Sequence, residues 1–194
     1  MFMMSASTVQ SEDVNGYYVT LDISQYRDDV LIDRRVITDD YILRNFAHMW
    51  LEILSGDRYL DALGDYKTTD ISNVLRQGTA TKFYIEDSKT TIRIGTDSTP
   101  VTVNDYKLET QVLSAIVDDG ATWYNGDQFN VTADATIVSD GSYTITEAGL
   151  SISKTDGGDA DRHTLVCRDV FSGIAIVNGD VLVIRYIFQF NVGV

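Results

Sequence analysis

From residue 79 onward, apolar and polar residues alternate with a period of two, and turns rich in Gly and Asp interrupt the alternation every ~8–12 residues. This pattern is typical of strands with one buried face. It is clearest at the end of the chain, where one face of residues 181–192 carries Leu182, Ile184, Tyr186, Phe188 and Phe190. Because the 194 residues include a single proline, almost every residue can donate to a β-ladder. The sequence predicts a mainly β fold, an antiparallel sandwich of roughly eight strands of jelly-roll or immunoglobulin-like type.

The predicted strands are separated by short turns that favour chain reversal. The strands are expected at residues 82–86, 91–95, 106–117, 121–133, 136–139, 142–147, 150–153, 163–168 and 181–192. The turns are Asp118-Asp119-Gly120, Asn125-Gly126-Asp127, Asp140-Gly141 and Asn178-Gly179-Asp180. Since Asn-Gly and Asp-Gly between alternating segments are strong hairpin signals, these turns predict hairpins.

The first part of the chain has a different pattern. Residues 17–23 alternate and predict a strand, and residues 38–56 predict a helix that Thr38 or Asp39 caps and Gly56 ends. Apolar residues cover two sides of this helix. Packing into the core of the protein is the favoured interpretation of such a helix, and contact of its second side with another subunit is the alternative. The assembly face of that alternative consists of Leu43, Ala47, Leu51 and Leu54. The predicted division is an N-terminal arm with a helix for docking and assembly, residues 1–78, and a β-sandwich domain, residues 79–194.

Charge and hydropathy exclude several classes of protein. With 15 Lys and Arg against 29 Asp and Glu, the net charge is -14, which repels a phosphate backbone, so no nucleic-acid partner is expected. No apolar stretch approaches the ~20 residues of a membrane-spanning helix. The first residues lack the features of a secretory signal, so neither a membrane nor a secretory route is expected.

No catalytic arrangement is visible, and the chain is not expected to be an enzyme or to hold a cofactor. The single cysteine, Cys167, lies within a predicted strand as a packed thiol would. Asp156, Asp159 and Asp161 could supply oxygen ligands to Ca²⁺, but they lack the spacing of an EF-hand loop. A solvated turn is the favoured interpretation, and a calcium site is the alternative.

Two charged residues stand in strands that are otherwise apolar or small. Glu147 and Arg168 are expected to form a structural ion pair on neighbouring strands, since an unpaired buried carboxylate is costly. Gly149 follows Glu147 where a bend or bulge would need it. The alternative is that both charges are solvated at a sheet edge.

Four segments in the second half of the chain, taken in order, resemble segments of known proteins. They read VTVNDYKLETQV at residues 101–112, SYTITEAGL at 142–150, LVCRDVF at 165–171 and VNGDVLVIRYI at 177–187. Together they span most of residues 92–192 and resemble β-rich structural proteins of tailed bacteriophages. The resemblance implies a virion protein that decorates the head, joins head to tail, or belongs to a tail or fibre. Its expected partners are other virion proteins and copies of itself.

A second function is compatible with the same fold. The loops of a β-sandwich could present Trp123, Tyr124 and Asp-rich turns to a glycan or receptor. The alternative function is therefore a carbohydrate- or receptor-binding module.

Overall fold

The fold was analysed in a computed structural model that describes residues 17–38, 41–43, 67–69, 75–77, 90–125, 128–154 and 162–191. These residues form twelve strands and no helix. The strands are β1 (Tyr17–Arg27), β2 (Val30–Ile37), β3 (Tyr41–Ile42), β4 (Lys67–Thr69), β5 (Leu75–Gln77), β6 (Thr90–Gly95), β7 (Gln111–Ile116), β8 (Thr122–Asn125), β9 (Gln128–Val138), β10 (Tyr143–Lys154), β11 (Arg162–Ile176) and β12 (Val181–Asn191). The described part of the chain thus contains no helix that could span a membrane.

Ten of these strands form two five-stranded antiparallel sheets with a common core. The first sheet has the order β2-β1-β12-β9-β8, and the second has the order β3-β11-β10-β6-β7. Fully buried side chains from both sheets belong to one apolar cluster, for example Leu21 and Ile184 from the first and Ile92 and Leu150 from the second. The prediction of a mainly β, sandwich-like fold is confirmed.

The sheets include more of the N-terminal part than the sequence predicted. The strand expected at residues 17–23 exists but continues to Arg27, and it pairs with β12 from Tyr17 opposite Phe190 to Tyr26 opposite Val181. The β-structure is therefore not confined to residues 79–194, because β1 and β2 supply two of the five strands of the first sheet.

The predicted start of the helix is wrong. Tyr41–Ile42 form the strand β3, which pairs with Cys167 and Arg168, and the amide of Leu43 donates to the carbonyl oxygen of Val166 at 3.2 Å. Backbone groups that a helix would have bonded internally are bonded to β11, so tertiary pairing overrides the local helical pattern. The rest of the predicted helix, residues 44–56, lies outside the described residues.

The described strands form two tight hairpins, and one of them was not predicted. Asn125 and Gln128 close the β8–β9 hairpin at the expected Asn-Gly-Asp turn. The β1–β2 hairpin turns at Asp28 and Asp29, whose φ angles of 50° and 63° are both left-handed, as in a type I′ turn. Aspartate tolerates this region better than most residues, but two aspartates are a weak hairpin signal in a sequence.

The other predicted hairpins are connections between the sheets. The turns at residues 118–120, 139–142 and 177–180 join β7 to β8, β9 to β10 and β11 to β12, and the two strands of each connection lie in different sheets. Gly179 has a φ of 90°, and the amide of Asp180 donates to the carbonyl oxygen of Val177 at 3.0 Å, so the chain does reverse there. Turn residues determine the reversal, whereas the burial of each strand's apolar face determines its sheet.

Some predicted strands have different bounds. The two segments 142–147 and 150–153 are parts of the single strand β10, and the strand expected at 163–168 extends to Ile176 as β11. The segment 106–117 is a strand only from Gln111 onward, and residues 101–110 form an ordered loop. The segment 82–86 lies outside the described residues.

The carboxylate of Asp180 holds the last connection between the sheets. It is buried and accepts hydrogen bonds from Gln25 Nε2 at 2.8 Å, from Arg27 Nε at 2.7 Å and from the amide of Val177 at 3.0 Å. The hydrogen bond from Arg27 is the largest cause that lowers the pKa of Asp180 far below its ordinary value, against the opposing effect of burial. This residue therefore ties the connection to β1.

We expect Asp180→Asn to change how stability depends on pH. The folded pKa lies below the unfolded value of about 4, so the ionised carboxylate stabilises the fold above that pH, and this contribution is lost as the pH falls from about 4 through the folded pKa. The variant should lose about 1–3 kcal/mol at pH 7. Its unfolding free energy, measured with urea at several pH values, should fall less steeply below pH ~4.

Asp140→Asn is the matched control for this experiment. Asp140 is an exposed aspartate in another connection between the sheets, and it accepts one hydrogen bond from Tyr143 Oη at 2.9 Å. The control should lose much less stability at pH 7. Equal losses for the two variants, or parallel pH profiles for Asp180→Asn and the wild type, would contradict the role given to Asp180.

Candidate functional site

The structure brings Glu147 and Arg168 together on neighbouring strands, β10 and β11. Arg168 Nε donates to Glu147 Oε2 at 3.0 Å, and Arg168 Nη2 lies 2.9 Å from the same oxygen without the alignment of a hydrogen bond. Both side chains are 0% exposed. Because Ala148 and Leu150 point into the common core, the alternation of β10 places Glu147 on the opposite face of the second sheet. The alternative of two solvated charges does not describe this pair.

A third charged residue, Asp105, completes the cluster and was not predicted. Arg168 Nη1 donates to Asp105 Oδ2 at 2.8 Å, and the Asp105 side chain is 12% exposed. Within its own turn, Asp105 also accepts from the hydroxyl of Thr102 at 2.6 Å and from the amide of Thr102 at 3.1 Å. One cation thus joins carboxylates from a strand and from a loop, and we call these three residues the ion cluster.

The carboxylate of Glu147 also accepts two backbone hydrogen bonds from the loop that precedes β7. Its Oε1 accepts from the amide of Thr110 at 2.8 Å and its Oε2 from the amide of Glu109 at 3.2 Å, both of which were predicted to lie in a strand. Gly95 lies directly opposite Glu147, and a Cβ at position 95 would come within 2.5 Å of the carbonyl oxygen of Thr110. Because Gly95 has no side chain, the carboxylate of Glu147 and the backbone of Thr110 can occupy the space beside it.

Further hydrogen bonds attach the same loop to the second sheet. The amide of Thr96 donates to the carbonyl oxygen of Thr110 at 3.0 Å, and Thr146 Oγ1 donates to the carbonyl oxygen of Asp97 at 2.8 Å. Leu108 is buried against Leu43 and Leu165 in a small apolar cluster. Residues 96–110, which we call the covering loop, are therefore fixed over one face of the second sheet.

Gly149 lies on β10 between two buried arginines of the neighbouring strands. It is opposite Arg93 on β6 and opposite Arg168 on β11, and the register shifts of β10 fall on either side of it. A Cβ at position 149 would lie 2.8 Å from Leu165 Cδ1 and 2.9 Å from Leu108 Cδ2. Close packing under the covering loop explains the glycine, and the irregularities of β10 lie beside Gly149, between Ile145 and Glu147 and between Leu150 and Ser151, rather than at Gly149 itself.

The two arginines have different electrostatic surroundings. Arg93 donates to neutral acceptors, Ser151 Oγ at 2.8 Å and Gln111 Oε1 at 2.9 Å, and burial lowers its pKa. Burial also lowers the pKa of Arg168, but the hydrogen bonds that it donates to Asp105 and Glu147, together with its attraction to both carboxylates, raise it more, so its net shift is upward. The ion cluster therefore favours the charged form of Arg168 despite its burial.

The remaining predicted site residues have separate outcomes. Leu43 is 0% exposed inside its own domain, so its assignment to an assembly face is wrong: it packs under the covering loop. The other proposed members of that face, and the proposed calcium ligands, lie outside the described residues. They are Ala47, Leu51, Leu54, Asp156, Asp159 and Asp161. In the ranges that the structure describes, no group of three or more His, Cys, Asp or Glu side chains is arranged to hold a metal ion.

Comparison of the chain with protein-family models, curated proteins and solved structures gives no match. Function is therefore inferred from the geometry of the ion cluster, from the surfaces of the sheets and from the sequence resemblance. The ion cluster itself satisfies its charges internally and fixes a loop, which is the behaviour of a structural site.

Arg168→Ala should destabilise the fold severely, by about 3–5 kcal/mol, because it leaves the buried carboxylate of Glu147 without its cation. Glu147→Ala combined with Arg168→Ala should cost less than the sum of the two single changes. Unfolding in urea measures all three variants. The exposed pair of Asp22 and Arg34 is the matched control, and its cycle should show little coupling. Additive losses at Glu147 and Arg168 would contradict the buried pair.

Proposed function

We propose that the protein is a virion structural protein of a tailed bacteriophage, which acts through protein–protein contacts in head decoration, in the head–tail connection or in a tail or fibre. The proposal begins from the sequence resemblance of four segments. One structural observation supports it: Asp105, Glu147 and Arg168 belong to three of those segments, and the three residues meet in one buried ion cluster. Three of the four resembling segments thus contribute to one buried cluster.

The surfaces of the protein fit an assembly role. The ion cluster and the covering loop fix one face of the second sheet through contacts within the chain. The first sheet, in contrast, has an edge strand, β2, with several half-exposed apolar side chains. Large apolar side chains at an exposed sheet edge are a feature of surfaces that bind other protein chains.

The acidic charge supports the same proposal. A net charge of -14 disfavours direct binding to packaged DNA and is compatible with a place on the outside of a particle, where contacts are made to other proteins. The proposed location is the virion, and the proposed partners are other virion proteins and copies of this chain.

The experiment is to purify phage particles by density gradient from cells that carry the gene, and to identify their proteins by mass spectrometry. We expect this chain in the particle fraction at a constant ratio to the major capsid protein. A second gradient at high salt should retain it, because an assembled interface buries apolar surface that salt does not screen. Recovery of the chain only among free soluble proteins would contradict the proposal.

A further inference from the structure

Strand β2 forms one edge of the first sheet. It pairs with β1 on one side, and no strand among the described residues pairs with its other side. The outer edge of such a strand presents backbone N–H and C=O groups that can pair with a further strand. In many complexes an added strand supplies these bonds, and its side chains supply the specificity.

Apolar exposure is concentrated on this strand. Eight large apolar residues are highly exposed in the described part of the chain, and four of them lie on β2. Their exposed fractions are Val30 62%, Leu31 50%, Ile32 46% and Val36 53%. An edge that only had to remain in water would not need this pattern, because polar side chains fit a solvated strand equally well.

We propose that β2 pairs with β2 of a second copy of this chain, antiparallel and centred on Arg34. A two-fold axis between identical antiparallel strands places one residue opposite its own copy, and its neighbours then pair symmetrically. A centre at Asp33 would set Asp33 against Asp33, and a centre at Arg35 would set Arg35 against Arg35. Of the three central registers, the one at Arg34 pairs opposite charges.

In this register Asp33 of each copy lies opposite Arg35 of the other, and Ile32 lies opposite Val36. Asp33 and Arg35 share a face of the strand, since Arg35 Nε donates to Asp33 Oδ2 at 3.0 Å within one chain. Their side chains are 34% and 39% exposed, so both can reach a second strand. The two-fold axis repeats each pair, which gives two attractive charge pairs and two apolar pairs.

The two copies of Arg34 meet at the axis, and their charge is already compensated. Arg34 donates to both carboxylate oxygens of Asp22 on β1, at 3.0 Å and 2.6 Å. The register of β2 with β1 shifts between Asp33 and Leu31 and leaves Ile32 without a partner on β1, so this bulged residue ends the segment available to a second copy. The inference rests on the proposed assembly role and names its partner: a second copy that extends the five-stranded sheet to ten strands.

The test uses two charge-reversal variants. Each variant alone should dimerise weakly, and a mixture of the two should form a heterodimer. Asp33→Arg sets arginine against Arg35 of the second copy at both pairs, and Arg35→Asp sets aspartate against Asp33. Each variant alone should raise the dissociation constant of the dimer at least about tenfold. An equimolar mixture should form a heterodimer, because arginine at 33 then faces aspartate at 35, and arginine at 35 faces Asp33.

The recovery of dimerisation in the mixture distinguishes a contact between two chains from a contact within one chain. Each variant places like charges at positions 33 and 35 of its own chain, so the internal pair is lost in both and mixing cannot restore it. Analytical ultracentrifugation of the full chain at low and high salt measures the dissociation constants, and circular dichroism checks that each variant is folded. The rescue should weaken at high salt.

Two valine substitutions give the matched control. Val36→Lys should weaken the dimer, whereas Val103→Lys should not, since Val103 is equally exposed, at 56%, but lies in the covering loop. A monomeric wild type at all concentrations, or a mixture that stays monomeric, would overturn the pairing. Monomers that still co-purify with particles would refute this inference and leave the assembly role standing. Dimers absent from particles would refute the assembly role alone.

Discussion

The complete burial of Arg168 is the constraint on which the second half of the structure depends. Moving a guanidinium out of water costs several kcal/mol unless carboxylates and hydrogen bonds compensate it. β10 supplies Glu147, and the covering loop supplies Asp105. Because Glu147 also accepts from the amides of Glu109 and Thr110, the same charge that compensates the arginine fixes the loop. Removal of Arg168 leaves both carboxylates without their cation, whereas removal of either carboxylate leaves the buried arginine with one partner instead of two.

The two sheets use polar residues on their outer faces in opposite ways. On the second sheet the charges are buried under the covering loop and bind the chain to itself. On the first sheet they are arranged in pairs across adjacent strands whose arginine is about half exposed, such as Arg185 with Asp134 at 2.6 Å and Arg34 with Asp22 at 2.6 Å. Among the residues that the structure describes, none forms a cover over the outer face of the first sheet or pairs with the outer edge of β2, and we expect contacts with other chains there. This asymmetry is the structural basis for proposing an assembly protein.

Local sequence patterns predicted much of this structure, and they failed where distant segments compete. The alternation in β12 and the turn at Asn125 were readable because each depends on neighbouring residues. The pairing of Glu147 with Arg168 could be predicted because each is a charged residue, of opposite sign, in a segment of otherwise apolar or small residues. Asp105 was missed because a loop that covers a sheet has no periodicity, and Leu43 was misplaced because pairing of β3 with β11 replaces a helix-like pattern. Turn residues likewise show that the chain reverses but not which sheet it enters.

Hydrogen exchange at the amides of Glu109 and Thr110 tests the central claim most directly. If the buried carboxylate of Glu147 holds the covering loop, both amides should exchange as slowly as the strand amides of β10, although they lie outside any strand. Asp105→Asn, which weakens the bond to Arg168 without touching either amide, should accelerate both while the amides of β12 stay protected. If the amide hydrogens of Glu109 and Thr110 exchange in the wild type as fast as those of an unprotected loop, the buried carboxylate of Glu147 does not hold the covering loop.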